Sequence, residues 1–223
     1  MLTLVIGNKN YSSWSLRPWI ALRQADIPFE EVLIPLDEPD TKARILEHSA
    51  AGKVPVLKDG AVTVWESLAI LDHLAERYPD AALWPSDPAA RAMARSISAE
   101  MHAGFRALRD ACPMNMRKRF AERDRGEEVA RDVTRILDIW RDCRERFGHA
   151  GPFLFGAFTA ADAMYAPVVS RFHSYSISVD ATARSYMSAV MGMPAFNEWR
   201  LAGVAEPWVL AHDEVDEPEL APA

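Results

Sequence analysis

Over the first eighty residues, short apolar runs alternate with amphipathic stretches. Leu2 to Ile6 is a compact β-favouring run. Ser15 to Ala25 then sets Leu16, Trp19 and Ile20 on one helical face, with Ser15 as its expected N-cap. Pro18 fits a first turn, where its missing N–H has no partner to lose, so the helix should begin close to Ser15. Phe29 to Leu36 reads as a second strand, and strand, helix, strand in so short a span predicts a right-handed parallel βαβ unit. After the irregular stretch from Asp37 to Gly52, Val54 to Leu57 and Ala61 to Trp65 are β-type runs. Lys58-Asp59-Gly60 between them is a hairpin signal. Glu66 to Tyr78 follows as a helix, with Ile70, Leu71, Leu74 and Tyr78 at intervals of three and four. The order βαβ then ββα predicts a four-stranded mixed sheet carrying helices.

Beyond Tyr78-Pro79-Asp80 the pattern changes. Trp84-Pro85-Ser86-Asp87-Pro88 reads as a rigid linker, and nearly everything after it has helical periodicity. The expected helices are Ala89 to Ala111, Glu127 to Phe147, Ala160 to Tyr175 and Ala195 to Val204. Asp213 to Glu219 is acidic and reads as a solvated tail. The chain is thus expected to hold an α/β unit over 1–80, a linker over 81–88 and an all-helical unit over 89–223.

Composition narrows the chemistry. With 25 Lys+Arg against 32 Asp+Glu the net charge is −7, which argues against general affinity for nucleic acid or anionic membrane. The most apolar window, Gly151 to Val169, contains Asp162, Pro152 and Pro167 and is too mixed for a membrane span. The start, MLTLVIGNKN, has no secretory-signal pattern, so a cytoplasmic location is expected. Cys112 and Cys143 are too few for a disulfide framework and read as buried small hydrophobes. The six histidines show no metal-ligand spacing, so no metal is expected.

The informative segment is Tyr11-Ser12-Ser13-Trp14-Ser15-Leu16-Arg17-Pro18, where the first strand gives way to the first helix. Ligands gather at the carboxyl ends of strands, and a helix N-terminus favours a thiolate or carboxylate. Taken alone, these serines read more readily as caps. Two further junctions add weight. Lys53-Val54-Pro55 puts a proline at a strand start, where a cis peptide turns the Val54 backbone outward. Glu66-Ser67 opens the next helix, with N–H groups and a hydroxyl for an anion and a carboxylate for an ammonium.

In S-S-W-S-L-R-P-W-I-A-L, G-K-V-P-V-L, W-E-S-L-A-I-L-D-H-L and W-P-S-D-P, with a capping box at Thr159-Ala160-Ala161-Asp162, the sequence resembles the cytosolic glutathione transferases along nearly its whole length. The resemblance implies a thioredoxin-like glutathione-binding unit, a helical unit supplying the electrophile pocket, and a homodimer. It also implies glutathione as co-substrate and a detoxifying role. Ser12 matches the catalytic serine of the zeta and tau classes, with Arg17 five residues on. Lys53 matches a contact to the glycine carboxylate, Val54 a backbone partner of the cysteinyl unit and Pro55 the family's cis-proline. Glu66 and Ser67 match the pair that holds the γ-glutamyl end. Trp14 replaces the cysteine of the zeta class, Ala50-Ala51 replaces an Asn-Pro, and Tyr11 and Ser13 are alternative hydroxyl donors.

For the second substrate the candidates are Tyr11, Ser13 and Trp14, with Met101, His102 and Phe105, although the last three also have the spacing of core packing. Arg117-Lys118-Arg119 has the charge to guide anionic substrates but reads rather as a solvated helix end. The expected chemistry is stabilisation of a thiolate for attack on a small hydrophobic electrophile. Isomerisation, dehalogenation or peroxide reduction on the same scaffold, or a binding module without catalysis, are the alternatives.

Overall fold

The computed structural model describes residues 1–220. Four strands form one sheet in the order β2-β1-β3-β4. They are β1 (Leu2–Ile6), β2 (Phe29–Leu33), β3 (Val56–Asp59) and β4 (Val62–Trp65). β1 and β2 are parallel, with Val5 opposite Val32, and β3 is antiparallel to both β1 and β4. α1 (Ser13–Gln24), the short α2 (Thr41–Leu46) and α3 (Ser67–Arg77) complete this part. Six helices follow: α4 (Pro88–Ala103), α5 (Arg106–Ala111), α6 (Glu127–Phe147), α7 (Ala160–Ser174), α8 (Ala181–Met191) and α9 (Pro194–Ala205). The architecture is a four-stranded α/β unit followed by helices, as the patterning predicts, and the unit is thioredoxin-like, as the resemblance implies.

Packing explains where the boundaries depart from the periodicity. α1 begins at Ser13, with Ser12 as its cap, so Pro18 lies inside the helix and not in its first turn. The bond lost at Pro18 is outweighed by burial, since Leu16, Trp19, Ile20, Ala21 and Leu22 are all inaccessible to solvent. β2 stops at Leu33, two residues before Pro35, which has no N–H for a ladder. The helix expected over Ala89 to Ala111 is broken at Gly104 and Phe105. A Cβ at Gly104 would sit 2.9 Å from the Glu100 carbonyl oxygen, and Phe105 is left-handed with φ +60°. α8 is an additional helix, capped by the Asp180 carboxylate accepting the Ala183 N–H at 2.8 Å.

One apolar core runs through both parts. Trp19 of α1 meets Trp199 of α9 edge to face, and Trp140 of α6 packs against Tyr165, Phe172 and Tyr186. Asp162 reaches back to the Thr159 N–H (2.8 Å) and hydroxyl (2.9 Å) to open α7, and burial pushes its carboxyl up to about 6.

The acidic C-terminal stretch is a strap, not a solvated tail. Glu217 grips Arg125 through two 2.8 Å bonds, and Lys118 pairs with both Glu214 and Glu219. Cationic partners on the 111–125 segment, invisible to local patterning, hold it down.

Candidate active site

The Gly7 to Ser12 turn, between β1 and α1, is fixed from the far end of the chain. The Glu206 carboxylate accepts the N–H groups of Lys9 (2.7 Å) and Asn10 (3.0 Å). Asn10 Oδ1 in turn accepts the N–H groups of Met116 and Arg117. Gly203 of α9 lies so close that a Cβ there would stand 2.9 Å from the Asn10 nitrogen. The turn therefore has little freedom.

It ends at Ser12, which is 7% exposed and lines a cavity of 530 Å³. Ser12 Oγ lies 2.8 Å from Ser15 Oγ, and either hydroxyl can donate across that gap. Ser15 Oγ already accepts the Gly7 N–H at 3.1 Å. With Ser15 donating to Ser12, the Ser12 proton is free to turn into the cavity, and the paired hydroxyls polarise each other. The amino end of α1 adds its partial positive charge.

Lys53 and Val54 border the same cavity, and the Val54–Pro55 peptide is cis. A second cavity of 430 Å³ shares Trp14, Lys53 and Val54 with the first and is completed by Pro55, Trp65, Glu66 and His102. Glu66 has φ +70°, a strained conformation for a residue with a side chain, and its carboxylate lies 3.4 Å from His102 Nε2. Burial, then the Arg17 charge, lowers the His102 imidazole from its ordinary range. Ser67 lines neither cavity. It is fully buried, and its Oγ accepts from Arg17 Nη1 at 3.2 Å.

Tyr11, Ser13 and Trp14 also line the larger cavity. The Tyr11 hydroxyl donates to Glu214 at 2.5 Å, and burial, then Glu214, raises its pKa. That proton is held away from any bound thiol. Met101 and Phe105 fall outside both cavities, because α4 turns Met101 (1% exposed) into the core and Phe105 is packed there as well. Of the three residues from that region, His102 alone lines the smaller cavity.

The opposite wall holds two groups that sequence reasoning missed. Arg109 and Arg171 line the larger cavity, and Arg17 lies behind Trp14. Trp14 is sandwiched, with the Arg17 guanidinium 4.3 Å and that of Arg109 4.7 Å from its ring centre. Arg171, 5% exposed, donates to the Cys112 carbonyl (2.8 Å) and to Ser13 Oγ (3.2 Å). Burial, then the Arg109 charge, pushes its guanidinium down to about 10, and Arg17 falls well below its ordinary range for the same reasons. Among the described residues none of these three arginines forms an ion pair, and the buried Arg17 Nε has no partner. A signal existed: Arg171 is a lone strong cation within an otherwise apolar helical run. Arg109 and Arg171 repel one another in a cavity that Asp37, Asp110 and Asp213 also line, and an anion bound between the two guanidiniums would relieve that repulsion.

The fold and this cleft place the chain in a defined class. The family model described as the N-terminal domain of glutathione S-transferase matches residues 11–77, and the C-terminal domain model matches residues 123–202. The chain belongs to the glutathione S-transferase family. A probable maleylacetoacetate isomerase from Caenorhabditis elegans is 26% identical over 82% of this chain and 86% of its own length. Among solved structures, a glutathione transferase homolog from Burkholderia with bound glutathione superposes with a TM-score of 0.69, at 22% identity, covering 92% of this chain and 99% of that one. A bacterial zeta-class maleyl pyruvate isomerase also gives 0.69 at 22% identity, covering 92% and 98%.

Proposed function

We propose that this chain is a glutathione-dependent transferase or isomerase that holds the tripeptide's sulfur as a thiolate at Ser12 and presents it to a small electrophile bearing a carboxylate. One arrangement carries the reading: a paired serine donor at the amino end of α1 faces a cavity whose other wall holds Arg109 and Arg171, neither of which forms an ion pair with the Asp37, Asp110 or Asp213 carboxylates that line it too. The relatives named above, one structure with glutathione bound and two proteins named as isomerases, support it. Lys53, Val54 and Glu66 are the tripeptide's expected holds, and the buried Ser67 acts behind them through Arg17.

The energetics are of the right size. A free thiol has a pKa of about 8.5, and the thiolate is the nucleophile. Lowering that value by about two units requires about 2.7 kcal/mol of preferential stabilisation. One charge-assisted hydrogen bond supplies about 1.5–3 kcal/mol, and the helix end about 0.3–1 kcal/mol more. A serine hydroxyl is too weak a base to remove the proton; Ser12 steadies the anion after the proton leaves to solvent.

Once formed, the thiolate adds to an electron-poor carbon, and the displaced electron pair moves onto the activating group. Protonation of that group's carbanion or enolate gives the conjugate. Rotation about the former double bond and return of the pair expels the thiolate and gives the isomer. The arginines stabilise the substrate carboxylate in either course. The reading includes a cytoplasmic homodimer; Trp65, 52% exposed on the edge strand β4, is an apolar surface for a second copy. Among the described residues no helix is long and apolar enough to cross a membrane.

Ser12→Ala tests the reading directly. The pKa of bound glutathione, followed by thiolate absorbance, should rise by about one to two units while glutathione affinity changes little. An unaltered pKa with unaltered turnover removes Ser12 from the mechanism.

A further inference from the structure

A separate cavity of 320 Å³ shares no lining residue with the two described above. It opens between the carboxyl end of α7, the first turns of α9 and the segment at 116–119. Arg117, Lys118, Arg119, His173 and Arg200 all line it, and no carboxylate does. This concentration of cations stands out in a chain of net charge −7.

The partners of these cations are unequal. Lys118 is held by Glu214 (2.9 Å) and Glu219 (2.8 Å), and Arg117 donates to the Trp208 carbonyl at 2.6 Å. Arg119 and Arg200 form no ion pair and no side-chain hydrogen bond among the described residues. The Nε atoms of Arg117 and Arg119 are both shut off from solvent and unpartnered. Burial, then Arg119, then Arg200 lowers the His173 imidazole, so both guanidiniums act on one ring.

Cations gathered only to offset the dipole of α7 would come from its own last turn. Here Arg119 and Arg200 arrive from two other elements and meet at one cavity. A further feature favours negative charge. α9 starts at Pro194 with Met193 at its cap, which offers no side-chain acceptor, and Phe196 and Asn197 of its first turns line the cavity. Met116, Met191 and Phe196 supply an apolar surface beside the charges. The volume is at the lower end of those that hold small metabolites.

We propose that this cavity is a second ligand site, which binds a compact organic anion carrying a phosphate or carboxylate group on an apolar body. The charged group sits between Arg119, Arg200 and Arg117, and the apolar part lies against Met116, Met191 and Phe196. The site shares no lining residue with the glutathione cleft.

Calorimetry on the full chain, with S-hexylglutathione saturating the cleft, tests this with phenyl phosphate, benzoate and inorganic phosphate as probes. One phenyl phosphate or benzoate should bind per chain, and the stronger of the two identifies the charged group. Arg119→Ser/Arg200→Ser should weaken that binding by about tenfold or more, leaving glutathione affinity and melting temperature unchanged. In proton NMR the His173 ring signals should shift and saturate with the same Kd. Non-saturable binding, binding indifferent to the double substitution, or silent His173 signals would overturn the proposal. Equal affinity for inorganic phosphate would overturn its apolar part.

Discussion

Arg171→Met separates the effect of a buried charge on stability from its effect on substrate choice. The folded guanidinium titrates at about 10 against an ordinary 12.5, so at neutral pH it is still protonated and carries an unfavourable burial energy. A difference of about 2.5 units corresponds to about 3 kcal/mol, relieved when the charge is removed. Against this, the Cys112 carbonyl loses its 2.8 Å donor, and a buried acceptor left unpaired costs about 1–3 kcal/mol. The two effects nearly cancel, and the variant should melt within a few degrees of the parent. Its catalysis should not survive so evenly. Each charge-assisted bond to an acceptor carboxylate contributes about 1.5–3 kcal/mol, so kcat/KM for a carboxylate acceptor should fall about 10- to 150-fold relative to its neutral amide. The assay is paired steady-state kinetics on those two acceptors at saturating glutathione. A selectivity ratio that does not move, or equal losses on both acceptors, refutes anion recognition by this arginine.

Three further outcomes follow from the geometry. Tyr11→Phe should leave the pKa of bound glutathione unchanged, because the Tyr11 proton belongs to Glu214; a rise like that of Ser12→Ala would reassign the donor. Glu66→Gly should relieve the strain at φ +70°, raising stability by about 1 kcal/mol in denaturant titration, while the KM for glutathione rises. Asp162 titrates at about 6 in the folded state against an ordinary 3.8, so the folded chain binds more protons between these values and stability falls as pH rises through them. The stability advantage of the parent over Asp162→Asn should accordingly shrink by about 2 kcal/mol from pH 4 to pH 6 in urea titrations.

Elements whose own periodicity matches their burial were readable in advance. α6 spans the expected Glu127 to Phe147 because its buried Ile136, Ile139, Trp140 and Cys143 form one clean stripe. The sheet was legible too, since its hairpin carries Asp59-Gly60 and its first two strands flank a single helix. What local reading lost depends on distant contacts. α1 tolerates Pro18 because Trp199 and its neighbours bury it, and Asp213 to Glu219 looks like a free tail until Lys118 and Arg125 are in place. At the site, Ser12, Lys53, Val54 and Glu66 were visible because each sits at a strand-to-element junction. Arg109 and Arg171 come from separate helices and meet only across the finished cavity.

The close approach of Gly203 to Asn10, with Glu206 gripping the neighbouring amides, ties the first dozen residues to the last helix. During synthesis the ribosome releases those partners almost two hundred residues apart, so the serine-bearing turn stays unclamped until translation is nearly finished. Alignment of that turn is among the last properties the nascent chain acquires, and a ribosome stalled before α9 leaves a product that has Ser12 but not the clamp that positions it.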